Sequence, residues 1–201
     1  MATVQHNTLT TTNLHEPKGA GAATANQVYI SDGAGSGAWT TWPLGFGFYE
    51  QSGAGQVFNT TASKVTINGS GSQTNETYLP QAIRGSASLW DTTNYKLLPI
   101  GLGDGYLVRL TVPIASKTGA PALLTLEVDI SGASSPTTII STRDTSIANT
   151  APFDVQIAFP LFVGATALAN GVQFFFSTDA GSVTLGDGAE ILINRLSSGD
   201  I

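Results

Sequence analysis

Two histidines, His6 and His15, are the only imidazoles in the chain, and there is no cysteine. Histidine is the commonest proton-transfer side chain near neutral pH, so acid–base chemistry built on it would have to use the first few residues. Beyond residue 15 a Ser-His-Asp or Cys-His site is excluded, as are disulfides and cysteine-built zinc sites. Paired carboxylates could still hydrolyse glycosides, and Glu127 and Asp129 share the polar face of one strand. Solvated strand carboxylates account for the same pair. Asp179, Asp187 and Glu190 lie near turns and could offer oxygens to calcium. They lack the D-x-D-x-D-G spacing, and ordinary Asp-Gly turn chemistry explains them. Gly33, Gly35 and Gly37 follow a strand and mimic a dinucleotide-binding loop. The next residues, Trp39-Thr40-Thr41-Trp42-Pro43, are poor helix, so the helix N-terminus that would meet a pyrophosphate is missing. The sequence therefore predicts no catalytic residue, no metal and no cofactor.

Composition narrows the class further. Charged residues make up 11% of the 201 residues, against about a quarter in ordinary globular domains. Low charge with abundant Gly and Thr is common in virion and extracellular β-proteins. The net charge is −6, and the eight basic residues are scattered singly. Nucleic-acid binding needs clustered cations to displace counterions from phosphates, so no nucleic-acid partner is expected. The first residues have no basic n-region and no apolar h-region, which predicts a protein made in a cytoplasm without a secretory signal. No apolar run approaches the ~18–20 residues that span a bilayer, which predicts a soluble protein without membrane insertion.

Hydrophobic periodicity sets the fold class. In GYLVRLTVPIAS, Val108, Leu110, Val112 and Ile114 fall on one face, with Arg109 and Thr111 on the other. In LLTLEVDIS, Leu124, Leu126, Val128 and Ile130 alternate with Thr125, Glu127, Asp129 and Ser131. FDVQIAFPLFV puts Phe153, Val155, Ile157, Phe159 and Leu161 on one face. Period-2 alternation with one polar side marks antiparallel sheet. Further strands are expected at 137–142, 171–178, 182–185 and 189–197, with weaker ones at 64–68, 88–90 and 95–98. Turn signals such as Gly-Asp-Gly at 103–105 and 186–188 separate them. No helical periodicity competes. The reading is an all-β, antiparallel jelly roll or β-sandwich of eight to ten strands. It occupies 44–201, behind an extended N-terminal arm, 1–43, whose one strand candidate is QVYIS.

Some strands carry large apolar groups on both faces. Phe175 opposes Phe174 and Phe176, Phe162 opposes Phe159 and Leu161, and Leu192 opposes Ile191 and Ile193. A strand needs this only if both faces are covered, by another subunit or by a loop. Phe162, Phe175 and Leu192 are therefore candidate subunit-interface residues.

The stretch NLHEPKGAGAATANQVYISDGAGSGAW resembles a segment that recurs near the N-terminus of tailed-bacteriophage virion proteins. The elements that carry the likeness are Leu14-His15-Glu16-Pro17-Lys18-Gly19, Ala22-Ala23-Thr24, Gln27-Val28-Tyr29 and Asp32 to Trp39. Such proteins are head fibres, capsid decoration proteins or short tail fibres. The segment there is a particle-proximal or trimer-forming module ahead of a variable β-domain. Residues 55–201 resemble, in pattern only, the tumour-necrosis-factor/C1q-like jelly roll, which implies a homotrimer. These resemblances imply a virion location and a structural component of a phage particle. Its arm would dock on the major capsid protein or other virion proteins, using His15, Pro17, Lys18, Tyr29, Trp39 and Trp42. Physically, a small-residue arm loses little rotamer entropy on docking, and aromatic residues make the strongest anchors. The alternatives are a tail tip that contacts host surface glycans, and a small glycan hydrolase.

Overall fold

A computed structural model describes residues 23–24, 27–31, 37–41, 43–80, 83–148 and 150–199. The chain divides into two units, Met1–Trp42 and Pro43–Ile201. In the first, β1 (Gln27–Ser31) and β2 (Gly37–Thr41) form an antiparallel hairpin that places Tyr29 opposite Trp39.

The larger unit is an antiparallel jelly-roll sandwich. Its first sheet contains β3 (Gly45–Glu50), β4 (Val57–Asn59), β8 (Gly105–Thr118), β11 (Phe153–Phe162), β13 (Ser182–Leu185) and β14 (Glu190–Ser197). The second runs β10 (Ile139–Ser146), β9 (Leu123–Asp129), β12 (Gln173–Thr178), β5 (Ser63–Lys64). A small pair, β6 (Trp90–Asp91) with β7 (Lys96–Leu97), joins the start of β12 through a two-way backbone bridge between Leu97 and Val172. Inward residues from the two sheets interlock. Phe58 of β4 meets Phe176 of β12 edge-on at 5.3 Å, and Phe159 of β11 meets Phe174 of β12 at 5.9 Å. The alternation read from the sequence is the alternation of burial: Tyr106, Val108, Leu110, Val112 and Ile114 are all at most 1% exposed.

β8 organises the first sheet. One side pairs along its length with β11, from Phe162↔Gly105 to Phe153↔Ile114. The other side pairs first with β14 and then with β13. The handover falls between Thr111, opposite Glu190, and Ile114, opposite Leu185. Pro113 lies in that gap, where a residue without an N–H breaks no ladder bond; its carbonyl accepts from Gly186 N at 2.8 Å.

Three expectations change. The segment 44–59, which carries no strand candidate in sequence, holds strands β3 and β4. Its glycines permit close approach: a Cβ on Gly45 would sit 2.5 Å from the Tyr78 carbonyl oxygen, and that same carbonyl accepts from Phe46 N at 2.8 Å. The weak strand at 64–68 shrinks to Ser63–Lys64. Val65 and Ile67 are still buried; Val65 N donates to Phe174 O at 2.8 Å, and beyond it side chains replace the ladder. Thr66 N donates to Gln56 Oε1 at 3.1 Å, and Trp90 Nε1 donates to Ile67 O at 2.6 Å. A six-residue helix, α1 (Ala165–Asn170), was not legible in the sequence.

Candidate functional site

Strand register defines the outer face of the first sheet. Inward residues are even-numbered on β8 and odd-numbered on β11 and β14, so their neighbours in sequence point outward. Cross-strand pairing lines these up in rows over β11, β8, β14 and β3. One row is Ala158, Arg109, Leu192, Phe48. The next is Pro160, Leu107, Asn194, Phe46. Phe162 follows, opposite Gly105. In the other direction the row is Gln156, Thr111, Glu190, Glu50. The face therefore has an apolar end and an acidic end, with Arg109 at the boundary.

The apolar end is open. Phe162 is 75% exposed and Leu107 37%. Tyr78, 54% exposed, stacks on Phe46 with ring centroids 5.3 Å apart. At the boundary Arg109 Nη2 lies 3.8 Å from Glu190 Oε1. Arg109 Nε and Thr111 Oγ1 are buried without a hydrogen-bond partner among the described residues. The sequence placed Arg109 and Thr111 on a polar face. It missed that Leu107, Phe46 and Phe48 share it, because a face made by four strands appears only once their register is known. The alternating LGFGF run was the available signal.

Two of the three candidate interface residues lie on this face, Leu192 half-buried near its middle and Phe162 at its edge. Phe175 does not, and its expected exposure to a subunit is corrected. It belongs to the other sheet and is fully buried within its own chain. Lys64 pairs opposite it, with Nζ 6.0 Å from the ring centroid. Gln173, on the same side of β12, donates to Ala133 O at 2.9 Å and accepts from Lys64 Nζ at 2.5 Å. The Lys64 side chain thus lies over the Phe175 ring, which is buried without a second subunit.

In the smaller unit, Tyr29 and Trp39 are half-buried and pack edge-to-face, with centroids 5.5 Å apart. His15, Pro17, Lys18 and Trp42 lie outside the described residues.

Of the carboxylates considered for chemistry, Asp129, Asp179, Asp187 and Glu190 have partners within the chain. Asp129 is fully buried and accepts from Ser131 N and Oγ, Thr137 N and Thr138 N at 2.5–2.8 Å. Burial pushes its pKa up, but these hydrogen bonds outweigh it, and the carboxyl is held below its ordinary range. A general acid needs the opposite shift. Asp179 accepts from Ala122 N and Leu123 N, Asp187 from Gly53 N, and Glu190 faces Arg109. Among the described residues no group of three or more His, Asp or Glu side chains is arranged to hold a metal ion.

A cleft of about 670 Å³ is lined in part by Glu76, Arg84 and Ser88. There Glu76 Oε1 accepts from Tyr49 OH at 2.8 Å and from Ser88 Oγ at 2.5 Å. Among the described residues Ser88 has a carboxylate beside it and no imidazole, which does not make a nucleophile–base pair.

One buried polar cluster is structural. Asp104 and Arg195 pair at 2.6 Å with side chains 0% and 3% exposed. Asp104 also accepts from Gly199 N at 3.1 Å, Tyr106 OH at 2.8 Å and Gly101 N at 2.9 Å. Arg195 Nη1 donates to Pro43 O at 2.8 Å, and Nη2 to Ser198 Oγ at 3.1 Å. The cluster ties the first residue of the larger unit to the segment that follows β14.

No protein-family model matches the chain, and no curated protein matches it. Among solved structures it is similar to the Eiger TNF of S. frugiperda, with 11% identity, a TM-score of 0.46, and coverage of 79% of this chain and 96% of that one. It is also similar to the PRD1 vertex protein, with 11% identity, a TM-score of 0.41, and coverage of 76% and 94%. A structure of Broad Bean Stain Virus matches at 9% identity and a TM-score of 0.26, covering 88% and 89%.

Proposed function

We propose that this chain is a structural component of a bacteriophage particle, a homotrimeric capsid-decoration or head-fibre protein whose work is binding and reinforcement. The observation that carries the proposal is the open apolar end of the outer sheet face, where Leu107, Phe162 and the Phe46–Tyr78 stack meet solvent. Large apolar side chains exposed together on one sheet face suit a protein-binding surface. Closed ring symmetry lets one such patch be satisfied by copies of the same chain. A trimer also suits seating on a threefold position of a capsid.

The particle assignment draws on the phage-like elements between Leu14 and Trp39. In this proposal the arm, 1–43, seats the trimer on the major capsid protein or another virion protein, and 44–201 is displayed outward. An isolated two-stranded hairpin is marginal in water, so the Tyr29–Trp39 pair suits an element that gains its order by docking.

The test is binding to particles of the source phage. The full chain binds and deletion of residues 1–43 abolishes binding. Undiminished binding of the truncated chain overturns the docking role of the arm, and absence of binding by the full chain overturns the virion assignment.

A further inference from the structure

Of the described cations of the larger unit, Arg109 and Arg143 make no hydrogen bond, and of these two only Arg109 lies on this outer face. Arg84, Lys96, Lys117 and Arg195 each donate to an oxygen at 2.5–2.9 Å. Arg109 makes no hydrogen bond among the described residues. Its side chain is 43% exposed, and Glu190 at 3.8 Å is beyond hydrogen-bond distance. Its cross-strand neighbours on the outer face are Ala158 and Leu192. Packing anything apolar against that face would strip water from a guanidinium held only by the 3.8 Å contact to Glu190 of its own chain, which is costly. Arginine's planar fork is suited to taking a carboxylate in such a place.

The same face offers the complement. Glu190 and Glu50 stand opposite one another on β14 and β3. Glu50 is already engaged, accepting from Gln73 N at 2.8 Å. Glu190 makes no hydrogen bond among the described residues and points to the same side as Arg109. Charge complementarity therefore favours a second copy of this chain as the occupant of the face. Around a threefold axis, Arg109 and Glu190 of successive copies can alternate in a ring of opposite charges, each arginine between its own Glu190 and that of a neighbour.

We infer that Arg109 is the polar key of self-association, donating to Glu190 of a neighbouring copy. This rests on the proposed trimer. It assigns that assembly its specificity: the apolar end of the face supplies the area, and the Arg109–Glu190 ring fixes the register.

The experiment compares the full chain with Arg109→Glu, Glu190→Arg and the double charge swap, by light scattering across a dilution series, with thermal melts to monitor the fold. Both single variants are expected to melt as cooperatively as the parent and to assemble about tenfold or more weakly, as close charge pairs in interfaces do. The double variant is expected to recover trimers. An Arg109→Glu chain that trimerises like the parent overturns the inference and leaves the trimer standing. A double variant that stays dissociated overturns the pairing with Glu190. A parent chain that is monomeric throughout overturns the trimer and the inference with it.

Discussion

Replacing Arg195 by methionine keeps most of the side-chain stem and deletes the guanidinium. The loss is calculable from the cluster it occupies. Asp104 is fully buried and would keep Tyr106 OH, Gly101 N and Gly199 N as donors while losing its counter-charge, the only one among the described residues. Pro43 O and Ser198 Oγ would lose a partner as well. Breaking a buried pair from one side costs about 3–5 kcal/mol, because the remaining charge is uncompensated. With a urea slope of about 2 kcal/mol per molar, the unfolding midpoint should fall by about 2 M at unchanged slope. Acid gives a second handle. Burial raises the pKa of Asp104, but hydrogen bonds from Arg195, Gly199, Tyr106 and Gly101 outweigh it and hold the carboxyl below its ordinary value. A depressed folded value contributes stability above the unfolded carboxyl pKa of about 3.9. That contribution is lost as pH falls through the lower, folded value. Asp104→Asn should therefore be less stable than the parent at neutral pH, and the gap should narrow on acidification. A midpoint shift for Arg195→Met under about 0.5 M, or a gap that widens in acid, would refute the reasoning.

Other variants separate surface from core. Phe162→Asp, at a residue 75% exposed, should change the melting free energy by no more than about 0.5 kcal/mol and abolish trimers in light scattering; Leu192→Glu should also disperse them. Phe175→Ala removes a ring buried within its own chain and should cost about 3–5 kcal/mol in denaturant unfolding, with trimers retained wherever the fold survives. Gly181 has a φ of +57°, and a Cβ there would run into the Thr118 carbonyl oxygen. Gly181→Ala should therefore destabilise by more than about 1 kcal/mol, measured by the same unfolding assay. Asp129→Asn replaces a carboxylate that accepts four hydrogen bonds and should cost about 1–3 kcal/mol.

Period-2 alternation made β8, β9 and β11 legible, because each has one face in the core and one outside, as the burial of Val108, Leu126 and Ile157 shows. Strands whose pattern is set by contacts distant in sequence were not legible. β3 depends on Gly45 letting the chain at Tyr78 cross within hydrogen-bond distance. The backbone at Thr66 is held by Gln56 in place of a ladder. Phe175 shows the limit of face-counting: a strand apolar on both sides needs two covers, and its own chain supplied the second. The candidate face was legible at Phe162 and Leu192, single residues on single strands. Arg109, Leu107 and Phe46 joined it only through the register of four strands.

The most direct measurement is gold-labelled antibody against this chain on intact particles from its source, with copy number from gel densitometry. The account predicts label across the head at many copies per particle, in a number that threefold positions can accommodate. Label confined to the tail at a few copies would contradict the decoration role and favour a receptor-binding tip. Absence of label from every particle would contradict the virion assignment altogether.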